Sequence, residues 1–271
     1  MKLKEITCSG CLNKSKITDY TINPYTGCSH GCVYCYADFM KRFQNIKDEW
    51  GDFVYAKINC SELLEKELEK AKPGHIWMAS VCDCYMPEEK DYRLTRKILE
   101  VMAKSKHKSK FTMEILTKSS LVKRDFDLIK EIGIELGMSV NNTDDKIAKI
   151  IEPFASLPSE RLETLKQAHD FGIKTIGFIS PVMPGVTDLE SVFKKLREAK
   201  VDYVWVEILN IKGSVIKKML PLVKSKFPDK LQEFESSVEN YKSFCDKIRK
   251  QAKELEKKYN LPIREIVVHG K

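Results

Sequence analysis

Cys28, Cys32 and Cys35 lie in one short segment, Asn23-Pro-Tyr-Thr-Gly-Cys28-Ser-His-Gly-Cys32-Val-Tyr-Cys35-Tyr36, spaced C-x3-C-x2-C. Thiolates are the usual ligands of iron–sulfur clusters, and three of them on a four-iron cluster leave one iron free to bind and couple to a cofactor. Zinc would demand a closed set of four ligands, and the nearest fourth donor, His30, sits inside the loop with poor spacing for that role. The expectation is a 4Fe–4S cluster on Cys28, Cys32 and Cys35, with His30 an ordinary loop residue.

The loop resembles the signature of the radical S-adenosylmethionine superfamily. That resemblance implies that the free iron chelates the amino and carboxylate groups of S-adenosylmethionine, and that one electron cleaves the cofactor to a 5′-deoxyadenosyl radical. It also implies an aromatic residue near the adenine just before the third cysteine, where this chain has Tyr34. The segments Asn23 to Ala37, Ser80 to Arg96, Thr117 to Asp127 and Glu152 to Asp188 are similar to the spore photoproduct lyase-like branch. The pieces carrying the likeness are Ala79-Ser-Val-Cys-Asp83 with Tyr85 and Pro87, Thr117-Lys-Ser119, Glu152-Pro153, Arg161 and Pro181-x-x-Pro-Gly-x-Thr-Asp188. By resemblance, Ser80 and Asp83 approach the methionyl end of the cofactor, Ser139 and Asn141 approach its ribose, and Lys118 and Ser119 line the same cavity. Read alone, these pieces have plainer roles. Lys118 is then a solvated loop lysine, Glu152 a carboxylate flanking a helix, Arg161 a helix-surface residue, and Pro184-Gly185 a turn before a cap at Thr187 or Asp188.

Four further cysteines come in pairs, Cys8-x-x-Cys11 and Cys82-x-Cys84; relatives often carry Asp-Pro-Tyr where this chain has Asp83-Cys84-Tyr85. Together Cys8, Cys11, Cys82 and Cys84 could supply four thiolates to a second iron–sulfur cluster or a zinc ion, if the N-terminal segment folds across the barrel mouth. The competing role, implied by the resemblance, is that Cys82 donates a hydrogen atom to a substrate radical. Cys60 and Cys245 stand alone in helical surroundings and read as incidental thiols.

The elements that must position these residues alternate. His75 to Ser80, Phe111 to Thr117, Ile134 to Val140, Ile173 to Ser180 and Tyr203 to Leu209 read as strands, with a further strand near Ile17 to Ile22. Between them, Tyr92 to Lys106, Leu121 to Ile132, Ser159 to Phe171 and Asp188 to Ala199 are apolar at helical spacing. Strand and helix in repetition mean a parallel α/β sheet, and six such units are short of a closed eightfold barrel. The expected fold is therefore a partial (β/α)6 barrel, of the radical S-adenosylmethionine type that the resemblance implies. Cys82 to Tyr85, Lys118 to Ser120, Asn141, Asn142, Pro181 to Asp188 and Asn210 all fall at strand C-terminal ends, where barrels place their sites. One domain is expected over residues 1–271. Its core runs over about 17–210, with a cysteine-bearing extension at 1–16 and a helical extension over about 211–271. In that last part Leu231 to Tyr259 reads as one long amphipathic helix, followed by a strand at Ile263 to Val268.

Composition bounds the rest. With 42% hydrophobic and 32% charged residues over 271 positions the chain can bury a sizeable core. No apolar run approaches the roughly 18 residues of a membrane span, and the charged start suits no signal peptide; a cytoplasmic protein is expected. There, clustered cysteines bind metal more often than they form disulfides. The net charge of +8 is spread over Lys/Glu-rich helix faces, so ordinary solvated surface accounts for it. No aromatic and basic interleaving beyond that surface stands out. The resemblance implies a one-electron donor of the flavodoxin or ferredoxin kind and suggests nucleic acid as substrate. A small metabolite or peptide is the alternative substrate, and a non-catalytic iron–sulfur or RNA-binding protein the alternative class.

Overall fold

The structure, a computed structural model, describes residues 1–44, 46–211 and 214–269, so the expected end of the C-terminal extension at residue 271 lies outside it. Its strands are β1 (Lys2–Ile6), β2 (Leu12–Lys14), β3 (Tyr20–Ile22), β4 (Tyr25–Gly27), β5 (Phe53–Lys57), β6 (Gly74–Met78), β7 (Phe111–Thr117), β8 (Glu135–Ser139), β9 (Thr175–Val182), β10 (Tyr203–Ile208) and β11 (Ile263–Val267). Its helices are α1 (Lys41–Gln44), α2 (Cys60–Lys70), α3 (Glu89–Tyr92), α4 (Leu94–Lys104), α5 (Phe126–Ile132), α6 (Asp145–Ile151), α7 (Pro158–Asp170), α8 (Leu189–Glu198), α9 (Ser214–Lys226), α10 (Leu231–Glu239) and α11 (Tyr241–Tyr259).

The main sheet has eight strands in the order β11-β10-β9-β8-β7-β6-β3-β2. All its pairs are parallel except β2 with β3. The six strands read from the sequence stand in it in chain order. Buried parallel strands carry near-continuous apolar runs, and β9 is buried along its whole length. Gly177 in β9 lets α8 lie close, because a Cβ there would meet the Leu196 side chain at 2.7 Å. α8 buries Leu189, Val192, Phe193 and Leu196, a single helical stripe, and opens on Asp188, whose side chain accepts from the Ser191 N–H.

The sheet is rolled, and side chains prove it. Trp77 of β6 and Trp205 of β10 have ring centroids 6.1 Å apart in edge contact, although three strands separate β6 from β10 and a flat sheet would hold them roughly 19 Å apart. Arg264 of β11 likewise reaches Glu135 of β8 at 3.3 Å. The two edge strands, β2 and β11, do not pair, so the barrel is partial. Its lumen wall includes Trp77, Phe178 and Trp205. Both indole Nε1 atoms are buried and have no hydrogen-bond partner.

Two features depart from the sequence reading. A second sheet, β1-β5-β4, joins the N-terminus to the strand that leads into the cysteine loop. The expected long helix over Leu231 to Tyr259 is two helices, α10 and α11, broken at Asn240. The strand after it is real, and β11 extends the main sheet beside β10.

Candidate functional site

The cysteine loop begins where β4 ends. Gly27 has φ +88°, and a Cβ there would lie 2.3 Å from the Phe53 carbonyl oxygen, so only glycine fits between β5 and the loop. Gly31 is also left-handed, at φ +62°. The three cysteines are free and partly exposed. Burial pushes the Cys28 thiol well up, with charge on Asp83, Cys32 and Cys35 adding to it. Burial pushes Cys32 up to about 12, and Cys35 rises for the same first reason. Among the described residues no group of three or more His, Cys, Asp or Glu is drawn into metal-ligand spacing, this loop included. Charge on the neighbouring loop thiols adds to the rise of Cys28 and Cys32.

Carboxylates on the segment after β6 anchor the loop. Glu89, fully buried, accepts from the Tyr25 hydroxyl at 2.5 Å. Glu88 accepts from Ser29 Oγ at 2.7 Å. Asp83 Oδ2 lies 3.4 Å from Nδ1 of buried His30. Asp83 is also the tie to β7, because it accepts from Thr117 Oγ1 at 2.7 Å and from the backbone N–H groups of Lys118 at 2.7 Å and Tyr85 at 2.9 Å. Burial alone would raise the Asp83 carboxyl; His30 and these donors hold it well below the usual range instead. Both of its oxygens are therefore engaged within the protein. Asp83 thus ties the cysteine loop, through His30, to the C-terminal end of β7.

A second buried network holds Tyr34. Its hydroxyl donates to Glu152, which also pairs with Arg161. Asn141 Nδ2 donates to Tyr34 and to Glu152 at 3.0 Å each. Arg161 has no exposed surface and also donates to the carbonyls of Ser139 at 2.9 Å and Ser156 at 2.7 Å. The plainer reading of Arg161 as a surface residue and of Glu152 as a mere helix flank is thereby overturned. Burial would raise Glu152, but the charges of Arg161 and Lys118 hold it below its ordinary value. Lys118 Nζ stands 5.8 Å from the Tyr34 ring centroid. Burial works against that ammonium, and charge on Cys32 and Glu152 overcomes it, raising its pKa.

The remaining expected residues sort themselves by their partners. Ser80 Oγ accepts from Asn23 Nδ2 at 3.1 Å, and its carbonyl accepts from Tyr36. The preceding Ala79 has φ +71°, a strained conformation for a residue with a Cβ, at the C-terminal end of β6. Ser119 caps the turn that follows it, accepting from Leu121 N–H at 3.3 Å. Ser139 is buried, and its carbonyl holds Arg161. Among the described residues, the buried Oδ1 of Asn141 has no hydrogen-bond partner, while its Nδ2 donates to Tyr34.

Cys11 is disulfide-bonded to Cys60, which corrects two expectations. Cys60 is not an incidental thiol, and the four-thiol set Cys8, Cys11, Cys82 and Cys84 is not assembled, because one member has its sulfur bonded elsewhere. Cys8 instead hydrogen-bonds Asn59. Cys82 lies over Tyr25 and Val54 with its Sγ 3.6 Å from Asn23 Oδ1, and Cys84 is fully buried.

At the open end of the barrel, Tyr36 and Phe39 follow Cys35 with rings stacked at 6.3 Å and 21°. They line a cavity of about 570 Å³ with Lys41 and Arg42. This alternation of aromatic and basic residues was present in the sequence and went unread there, because no periodic element frames it.

Three free thiols in one short loop, the Asn141 oxygen and the Lys118 ammonium are donors of the kind that a cluster with a polar cofactor beside it would need. Comparison with known proteins agrees. Residues 22–196 match the Radical SAM superfamily. An uncharacterised protein of Methanocaldococcus jannaschii is 35% identical over 95% of this chain and 94% of its own length. Another, from Acidianus two-tailed virus, is 32% identical over 76% of this chain and 72% of its own. Spore photoproduct lyase with bound AdoMet and dinucleoside spore photoproduct superposes with a TM-score of 0.62 at 16% identity, over 84% of this chain and 67% of the lyase. SuiB of Streptococcus suis, bound to its precursor peptide SuiA, gives 0.55 at 13% identity, over 99% of this chain and 48% of SuiB. These two share its fold. With its cysteine loop, its rolled parallel sheet and a match over most of its length, the chain belongs to the radical SAM superfamily.

Proposed function

We propose that this radical SAM enzyme acts on a nucleic acid, from which it abstracts a hydrogen atom at the open end of the barrel. The single observation that carries the substrate class is the Tyr36–Phe39 stack flanked by Lys41 and Arg42. Aromatic faces for bases and cations for phosphates are the two needs of a single-stranded or flipped-out segment. Membership of the family implies a 4Fe–4S cluster and S-adenosylmethionine. Bound together, they supply one-electron cleavage of the cofactor to a 5′-deoxyadenosyl radical. Cys28, Cys32 and Cys35 would hold the cluster. Tyr34, Lys118, Asn141 and Ser80 would contact S-adenosylmethionine, with Ser139, Ser119 and Asp83 shaping the wall behind them. A flavodoxin- or ferredoxin-like protein would donate the electron, in the cytoplasm, and the whole chain would act as one domain.

Cys82 suits the part of hydrogen donor after abstraction. Burial pushes its thiol up to about 12, with Lys57 only partly opposing this, so at neutral pH it carries the hydrogen that the role needs. The test is anaerobic reconstitution with iron and sulfide, then dithionite and S-adenosylmethionine, with 5′-deoxyadenosine measured alongside a Cys32→Ala control. Single-stranded DNA or RNA should raise 5′-deoxyadenosine formation, and the rise should fall steeply with salt and in Tyr36→Ala. A peptide or small metabolite raising it where no nucleic acid does would replace the substrate reading. A reconstituted wild type that binds no S-adenosylmethionine would remove the enzyme reading.

A further inference from the structure

The N-terminal segment and the start of α2 together carry three cysteine sulfurs that the radical site does not use. Cys11 and Cys60 are bonded to each other, and each is only 1% exposed. Cys8 is a free, partly exposed thiol packed against the cluster of core residues that contains both. Asn59, the neighbour of Cys60, clamps it. Asn59 Oδ1 accepts from the Cys8 N–H at 2.8 Å and from its Sγ at 3.4 Å, while Asn59 Nδ2 donates to the Cys8 carbonyl at 2.9 Å. From the same helix, the Glu67 carboxylate accepts the backbone N–H groups of Cys11 and Leu12 at 3.0 and 2.8 Å. The segment is thus tied to α2 both ahead of its first residue and within it, with the Cys8 thiol held on Asn59, the residue next to Cys60.

Thiol–disulfide exchange needs a thiolate that can reach a sulfur. A reductant in solution cannot reach two sulfurs buried this deeply, whereas Cys8 is partly exposed and only three positions from Cys11. We propose that Cys8, Cys11 and Cys60 form a second redox site, in which Cys8 relays exchange between a dithiol in solution and the buried Cys11–Cys60 bond. Cys8 loses its proton to solvent and attacks Cys11 Sγ. The Cys8–Cys11 bond forms, the Cys11–Cys60 bond breaks, and Cys60 leaves as a thiolate that takes up a proton, so no net oxidation occurs. A dithiol then reduces the Cys8–Cys11 disulfide at the accessible sulfur, giving its two electrons and becoming a disulfide itself. The device has a place to act: residues 11 and 60 close a covalent ring of chain that contains Cys28, Cys32 and Cys35, together with β3, β4 and β5.

The experiment uses the full chain with its disulfide formed, treated with limiting dithiothreitol, quenched by alkylation, and digested without reduction for mass mapping. The wild type should pass through a species with Cys60 alkylated and the Cys8–Cys11 peptide two hydrogens lighter. Cys8→Ser should keep Cys11–Cys60 closed, with reduction slowed by at least about tenfold. Cys60→Ser should form Cys8–Cys11 instead. Unchanged circular dichroism in all three separates these results from misfolding, and Cys8→Ala replaces Cys8→Ser if the latter does not fold. Equal reduction rates in wild type and Cys8→Ser, or Cys8 fully alkylated in Cys60→Ser, would overturn the relay.

Discussion

At the scale of single residues, the site depends on charges that are buried and matched. Glu152 and Arg161 are both essentially without exposed surface, so each is tolerable only through the other. Arg161→Met should cost about 3–5 kcal/mol of stability, measured by denaturant unfolding of the iron-free protein, because it strands a buried carboxylate. The acid side follows from the same pair. The Glu152 carboxyl is held below its ordinary value in the folded state, so its contribution to stability is complete above the unfolded value and is lost as pH falls through the folded one. Wild type should therefore lose stability on acidification, and Glu152→Gln, already destabilised at neutral pH, should show a flatter acid limb. Parallel limbs would mean that other carboxylates carry the dependence. Of the residues chosen from the sequence, the cysteine loop is legible as a motif because its spacing is local, and Tyr34 within it is held by Glu152 and Asn141. Arg161, read alone as a helix-surface residue, is fully buried, and Asp83 accepts from Thr117 and Lys118. Each is decided by partners far away in the chain, and no local pattern encodes which of a carboxylate's oxygens are already taken.

At the scale of elements, the six parallel strands were legible because buried β-branched runs alternate with amphipathic helices. The β1-β5-β4 sheet was not. β1 is Lys-Leu-Lys-Glu-Ile, exposed along nearly its whole length, and it pairs with residues some fifty positions away, so neither burial nor a turn announces it. The break at Asn240 was missed for the opposite reason, since the apolar stripe runs on across it. The small sheet matters because β4 feeds the cysteine loop. Gly27→Ala should lower stability by at least about 1 kcal/mol and reduce iron uptake on reconstitution. Gly133→Ala is the control: its φ is also left-handed, at +80°, but nothing lies within 4 Å of the added Cβ. Thermal unfolding with an iron assay would compare them, and equal iron content in both would separate β4 geometry from cluster loading.

For the whole molecule, closure is incomplete, and the C-terminal strand is the piece that lengthens the wall. Arg264 of β11 lies over the rings of Tyr203 and Trp205 and reaches Glu135, while His269 Nε2 meets Glu207 at 2.6 Å. A chain ending at Asn260 would bare the β10 edge, and exposed edges pair with other chains. Size-exclusion chromatography should show it self-associating where the full chain does not; an unchanged profile and melting temperature would make β11 an ornament of the sheet. The rolled wall also has an optical consequence. Of the chain's three tryptophans, Trp77 and Trp205 touch inside the lumen, and Trp50 lies close enough to Cys35 to oppose the rise of its thiol. The molecule thus carries its own fluorophores in both chambers that matter: a bound iron–sulfur cluster should quench the emission of Trp50, and a guest in the lumen should shift the colour of the indole pair, with no label attached.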